Sequence, residues 1–140
     1  MKRREAREQA FVLIFERSIN HDTTEEIIDT AEMSGDIRID EFAEKTAVGV
    51  ERNEGILNTQ IEQNIRGWTM ARLSKVSLSL LRLAIYEMMF DDEIPVSVSI
   101  NEAIDLAKKY GGAEDAPFVN GVLGSVAKTL GEKDDGSARD

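Results

Sequence analysis

Apolar residues recur at helical spacing along most of the chain, and capping residues mark where helices begin. The first pattern predicts a helix from about Arg4 to Ile19. Thr23 and Glu26 form the capping box of a second helix that begins near Thr24. The amino-terminal part of the chain is therefore predicted to be helical.

A third helical pattern extends from residue 41 to about residue 66, and three small or polar residues interrupt it. The interruptions predict a kink or two shorter helices, and they are Gly49, Asn53 and Gly55. Residues 67–73, which follow, are too apolar for a solvated linker. Trp68 is therefore predicted to pack as a lid on the core.

Three more helices are predicted in the second half of the chain. Apolar residues nearly encircle the helix over residues 76–88, which indicates a central position in the fold. Pro95 fits the first turn of the next helix, and Gly111 with Gly112 ends it. Pro117 begins the last helix, which Gly131 is predicted to stop. The fold class is therefore all-α.

Polar residues stand inside these apolar patterns and allow two interpretations. In the first, they pair with each other or with helix ends, because buried polar groups need partners. In the second, Phe118 and Asn120 lie at an exposed seam and contact a partner. The pattern alone leaves both open for Arg82, Glu87, Asn101, Glu102 and Asn120.

Length and charge limit the organisation of the molecule. The 140 residues are enough for one domain, predicted over residues 1–131, and the acidic residues 132–140 are predicted to form a disordered tail. The net charge of −10 counts against a nucleic-acid partner. Residues 1–7 nevertheless carry four cations and one acid, so a local basic patch remains.

The sequence gives no positive support for catalysis. There is no cysteine, and the sole histidine, His21, lies in a polar turn, so a nucleophilic triad is not expected. Three adjacent acids at residues 91–93 lack the spacing of a calcium loop, and we predict neither a metal nor another cofactor. Without an apolar run of membrane-spanning length, the protein is expected in the cytoplasm, with no membrane contact.

Four segments together resemble the NusB family of transcription antitermination factors. They occur in the family's order and spacing, and the resemblance extends from Lys2 to about Leu130. The segments are Lys2–Ala10, Arg82–Glu87, Ile100–Gly111 and Phe118–Leu123.

The resemblance implies a fold of about seven helices in two packed subdomains. It also implies a non-catalytic adaptor that pairs with NusE, a small-subunit ribosomal protein, and binds the boxA element of nascent ribosomal RNA leaders. This complex would help RNA polymerase read through terminators. Family members are monomers or homodimers, and the sequence does not decide between them.

Two sets of residues match functional positions of the family. A mobile cationic arm would follow single-stranded RNA, although Glu5 departs from the more basic family versions. The residues of this arm are Lys2, Arg3, Arg4 and Arg7. The residues that match the NusE and RNA surface are Phe15, Ser77, Asp115 and Phe118.

Two other classes of protein remain as alternatives. NusB-like modules also occur at the amino end of ribosomal RNA methyltransferases, so the chain is alternatively a fragment of such an enzyme. The second alternative is a purely protein-binding helical module, whose acidic surface over residues 22–54 would meet a basic partner. Salt-dependent RNA binding through the arm would distinguish the adaptor from this module.

Overall fold

The computed structural model describes residues 1–138, and describes side chains over residues 1–131. Within that part of the chain the structure contains seven α-helices, one short 3-10 turn and no strand, which confirms the predicted fold class. The α-helices are α1 (Arg3–Asn20), α2 (Thr24–Met33), α3 (Glu41–Arg52), α4 (Glu54–Glu62), α5 (Lys75–Phe90), α6 (Val96–Tyr110) and α7 (Asp115–Ala138), with the 3-10 turn at Met70–Arg72.

Local hydrogen bonds set the helix boundaries. Thr23 Oγ1 accepts from the Glu26 N–H at 3.1 Å, and Glu26 Oε1 accepts from the Thr23 N–H at 2.9 Å, which confirms the capping box. Asn53 separates α3 from α4, and its Nδ2 donates to the Gly49 carbonyl at 2.8 Å. The long third pattern therefore forms two shorter helices.

Helix α5 is the central element of the fold. It packs against α1, α3 and α4 of the amino-terminal half and against α6 and α7 of the carboxyl-terminal half. Its Leu80, Leu81 and Ile85 have no exposed surface, because apolar residues on neighbouring faces of one helix contact both groups of helices. The amino-terminal helices and the carboxyl-terminal helices are thus held together through α5.

The carboxyl-terminal helix is longer than the sequence indicates. α7 extends to Ala138, whereas Gly131 was expected to stop it. The side chains of residues 132–140 and the whole of residues 139–140 lie outside the described residues, so the disordered tail stays a prediction. Among the helices over residues 1–138, none is long and apolar enough to cross a membrane.

Candidate nucleic-acid interface

Three exposed cations lie where α1 begins, and we call them the amino-terminal cation patch: Lys2, Arg3 and Arg4. The Arg3 guanidinium stands over the Phe42 ring, 4.1 Å from its centroid. Arg4 donates to Asp105 and lies 3.5 Å from Glu102 Oε1 through its Nε, so α6 holds it in place. Arg3 and Arg4 belong to the first turn of α1, and Lys2 is the N-cap residue of that helix.

Glu5 has a structural explanation within this patch. Its Oε1 accepts the Lys2 backbone N–H at 3.2 Å, as an acid at the third helical position does in a capping box. A carboxylate there also offsets the unfavourable effect of cations at the positive end of the helix dipole. Glu5 therefore stabilises the start of α1.

Arg7 lies in the core, away from the exposed position expected of it. Only 3% of its surface is exposed, and its Nε lies 2.8 Å from Glu87 Oε2. The other oxygen of Glu87 accepts from Ser99 Oγ at 2.7 Å, while Arg7 Nη1 lies 3.4 Å from Glu102 Oε1. This buried cluster joins α1, α5 and α6, and it leaves Arg7 no surface for a phosphate.

Three of the four residues predicted at the partner surface come together at the start of α7. Asp115 Oδ1 accepts from Ser77 Oγ and Ser74 Oγ, both at 2.6 Å, and Asp115 Oδ2 accepts the Gly112 N–H at 2.7 Å. Partial burial opposes ionisation, but these hydrogen bonds outweigh it and hold the pKa of Asp115 below its ordinary value. Phe118 lies one turn later on α7.

Phe15 does not belong to this cluster. It is half-buried on α1, where its ring centroid lies 5.8 Å from that of Phe11. The carboxyl end of α1 nevertheless lies beside the start of α5, because Lys75 Nζ donates to the Ser18 carbonyl at 3.3 Å.

A groove of about 420 Å³ opens beside the Asp115 cluster, and we call it the Trp68 groove. Trp68 is 50% exposed, so the prediction that it forms a lid on the core is wrong. Its ring centroid lies 5.7 Å from that of Phe118, and the Arg72 guanidinium carbon lies 5.6 Å from the Trp68 ring. The groove is lined by Trp68, Arg72, Leu73, Ser74, Ser77, Glu114, Asp115 and Phe118.

Sequence reasoning missed Trp68 as a surface residue. A signal was present, because no acid occurs between Glu62 and Glu87 while Arg66 and Arg72 flank the tryptophan. Cations interleaved with an aromatic residue are typical of nucleic-acid surfaces.

The polar residues that interrupt the apolar helical patterns fall into two groups: some pair within the fold, and others are exposed to a partner. Arg82 Nη1 lies 3.1 Å from Glu54 Oε1, and Arg82 Nε donates to Asn58 Oδ1 at 3.1 Å. Burial lowers the pKa of Arg82, although the carboxylate of Glu54 opposes this. Glu87 and Glu102 pair with Arg7, as the first interpretation expects. Asn101 and Asn120 are exposed, so they are open to a partner.

The described residues hold no group of three His, Cys, Asp or Glu side chains placed to bind a metal ion. At residues 91–93 the acids form a turn, in which Asp91 Oδ1 accepts the Glu93 N–H at 3.1 Å. The amino-terminal cation patch and the Trp68 groove offer a ligand charge, hydrogen-bonding groups and aromatic rings.

Relatives with close sequences are antitermination proteins. A transcription antitermination protein NusB from Clostridium novyi is 41% identical over 91% of this chain and 99% of its own length. The protein of the same name from Acetivibrio thermocellus is 43% identical over 91% of this chain and 90% of its own length.

Solved structures with the same fold agree with these relatives. T. maritima NusB superposes with a TM-score of 0.76 at 34% identity, covering 91% of this chain and 92% of that one. A crystal structure of the antitermination factors NusB and NusE in complex with dsRNA gives a TM-score of 0.80 at 25% identity, covering 92% and 99%. A sequence model of the NusB family matches residues 4–128. The chain therefore belongs to the NusB family.

Proposed function

We propose that this protein is a non-catalytic transcription antitermination factor that binds boxA RNA of nascent ribosomal RNA leaders together with NusE. In this role it joins the transcribing RNA polymerase in the cytoplasm and helps the enzyme read through terminators. Membership of the NusB family supports the antitermination role. The solved complex of a NusB relative with NusE and dsRNA supports NusE and RNA as partners.

The observation that carries the RNA-binding proposal is the amino-terminal cation patch. Its three cations are exposed and lie together at the start of α1, in a protein whose net charge is −10. Such a local patch attracts phosphates although the molecule as a whole repels them. We assign RNA contact to Lys2, Arg3 and Arg4, and we assign to Arg7 the role of fixing α1 beneath them.

The second contact surface in this proposal is the Trp68 groove with its Asp115 cluster. It exposes an aromatic pair and hydrogen-bonding groups at the start of α7. Ser77, Asp115 and Phe118 contribute to binding NusE and the RNA it shares, and Phe15 contributes from the neighbouring end of α1. Two contact surfaces on one RNA add their binding free energies, which compensates for a small basic patch.

A gel shift with a boxA-containing RNA and a scrambled RNA tests the proposal, with and without NusE and at two salt concentrations. We expect selective retention of the boxA RNA, stronger retention with NusE and weaker retention at higher salt. Sedimentation in the same buffers determines whether the protein binds as a monomer or a homodimer. Equal retention of both RNAs in every condition would reject the proposal.

The two alternative classes have less support. The relatives described above are antitermination proteins and not methyltransferases. A purely protein-binding module would bind its partner without RNA, and replacing Arg3 and Arg4 by alanine would then leave its binding unchanged.

A further inference from the structure

The only tryptophan of the chain is held partly outside the core. Gly67 adopts φ +78°, a conformation that favours glycine, at the turn immediately before Trp68. The Trp68 N–H donates to the Ile65 carbonyl at 3.2 Å, which closes this turn. Half of a large apolar side chain is thereby left in contact with water, although burial would stabilise the fold.

The surroundings of Trp68 leave room for a flat ligand. The Phe118 ring is inclined by 60° to the indole, so it contacts the indole at an angle and does not stack on it. The Arg72 guanidinium carbon stands over the indole, 5.6 Å from the ring centroid, which is looser than direct stacking. The groove beside them measures about 420 Å³, which is enough space for a planar heterocycle.

Charged side chains of both signs lie at the groove. Arg72 lines it and is exposed, and over residues 1–131 it is in no salt bridge. Glu114 and Asp115 also line the groove, where Ser74, Ser77 and the Gly112 N–H occupy the Asp115 oxygens. A phosphate is therefore favoured beside Arg72.

We propose that Trp68 is a stacking platform for an unpaired base of the bound RNA, with Arg72 holding the adjacent phosphate. The inference rests on the proposed function and deepens it, because it names the group that contacts a base. An exposed indole flanked by cations fits a nucleotide, whose base is planar and whose backbone is anionic. Stacking supplies binding free energy that does not depend on salt.

The intrinsic fluorescence of the unmodified full chain tests this proposal, because every tryptophan signal comes from residue 68. Three oligonucleotides of equal length are titrated: the boxA RNA, oligouridine, and an abasic ribose-phosphate strand. We expect saturable quenching by the two RNAs that carry bases. The abasic strand is expected to bind by charge without comparable quenching.

Variants measured by gel shift separate stacking from folding. Trp68→Ala is expected to weaken RNA binding by about 5- to 100-fold, the loss typical of one stacked base. Trp68→Phe keeps an aromatic face and is expected to bind within about threefold of the parent protein. Ile56→Ala is the matched control, because Ile56 is also 50% exposed but lies on α4. Thermal melting of each variant reports on the fold.

Salt dependence gives a further readout that a structural role would not produce. Trp68→Ala is expected to lower the affinity by the same factor at both salt concentrations, whereas Arg3→Ala lowers the slope with salt. Calorimetric titration of Trp68→Ala with NusE in the absence of RNA measures separately what Trp68 contributes to binding that partner, since Trp68 shares the groove with Ser77, Asp115 and Phe118.

Three results would overturn the inference while leaving the proposed function intact. The first is boxA RNA binding without a fluorescence change and with full affinity in Trp68→Ala. The second is equal quenching by the abasic strand. The third is loss of NusE affinity, with unchanged RNA affinity, in Trp68→Ala. If the parent protein retains no RNA in any condition, both the proposed function and this inference fail.

Discussion

At the scale of single residues, Arg7 shows how far a side chain can lie from its expected place. Residues 3–5 and residue 8 are also charged, so the local composition indicates a surface position. Its partner Glu87 lies 80 residues further along the chain, and no local signal joins the two. Burial of a charge becomes favourable only when its partner is in place, and that pairing is decided by tertiary packing.

Arg7→Met is predicted to lower the free energy of unfolding by about 3–5 kcal/mol, because it leaves the Glu87 carboxylate buried without its cation. Urea denaturation measures this loss. The double variant Arg7→Met with Glu87→Met is expected to regain a large part of it. Arg4→Ala, which removes an exposed ion pair, is the control, with a loss below about 1 kcal/mol.

The role of Arg7 would be different if Arg7→Met kept its stability and still lost more RNA affinity than Arg3→Ala. That result would indicate direct RNA contact by Arg7.

The prediction that Trp68 is buried was wrong for a different reason. An apolar pattern indicates that a segment is buried. An indole, however, has an apolar body and a polar N–H, so tryptophan occurs both in the core and at the surface. The exposure is decided by the turn at Gly67, whose φ of +78° is a property of the folded backbone.

At the scale of helices, most boundaries were predictable, although the end of α7 was not, and contacts between helices were not predictable. The capping residues Thr23 and Glu26 are three positions apart, and Asn53 bonds to Gly49 four positions before it, so both boundaries depend on local contacts. The approach of α3 to α5 had no such local signal. A Cβ added at Gly49 would lie 2.2 Å from the Tyr86 hydroxyl oxygen and 2.3 Å from the ring carbon that bears it, so glycine is required there by a neighbouring helix.

Gly49→Ala is predicted to destabilise the protein by about 1–3 kcal/mol, because Tyr86 must shift within a packed interface. Helix propensity alone predicts the opposite sign, a gain of about 1 kcal/mol. Gly124→Ala is the matched control, since Gly124 is exposed on α7 with no atom within 4 Å of an added Cβ, and it is expected to stabilise. Chemical denaturation of both variants gives the sign of each change in the free energy of unfolding. A stabilised Gly49→Ala would contradict the packing argument.

A polar clasp between α1 and α6 gives a pH-dependent prediction. Tyr110 donates its hydroxyl hydrogen to Glu8, and Lys109 Nζ lies 2.6 Å from the same carboxylate oxygen. The hydrogen bond to Glu8, together with partial burial, raises the pKa of Tyr110 to about 12. The hydrogen bonds from Lys109 and Tyr110 lower the pKa of Glu8.

Because the folded-state pKa of Tyr110 lies above its ordinary value of 10.0, its contribution to stability is complete below pH 10 and is lost as the pH rises towards 12. Tyrosinate absorbance is expected to show this ionisation near pH 12. The step disappears in Tyr110→Phe and moves towards pH 10 in Glu8→Gln. An unchanged titration in Glu8→Gln would show that the carboxylate is not the cause.

At the scale of the whole molecule, the proposed RNA binding depends on where the charges lie more than on the net charge. The resemblance identified the cations at the start of α1, and the fold places them beside α6 on an otherwise acidic protein. The convergence of Ser74, Ser77 and Asp115 was only partly predictable. The two serines lie 41 and 38 positions before Asp115, so the resemblance named Ser77 and Asp115 without explaining why they meet.

Arg3→Ala combined with Arg4→Ala is predicted to lower the slope of log affinity for RNA against log salt by about 0.7 for each cation removed. The reason is that each cation that contacts a phosphate releases counterions when RNA binds. Arg52→Ala combined with Lys128→Ala changes the net charge equally at exposed positions outside the patch, and we expect the slope to stay the same. Filter binding over a salt series measures both, and equal slopes for the two double variants would contradict a localised site.

The burial of Arg7 has a mechanical consequence. One helical turn separates the exposed Arg3 and Arg4 from a guanidinium anchored to the central helix α5. If RNA bound at the start of α1 were pulled, the force would be transmitted through the Arg7–Glu87 pair to α5. The first turn of α1 would then not separate from the rest of the fold before the RNA dissociated. A rigid grip also loses little conformational entropy on capture, so RNA is expected to engage in a single kinetic phase.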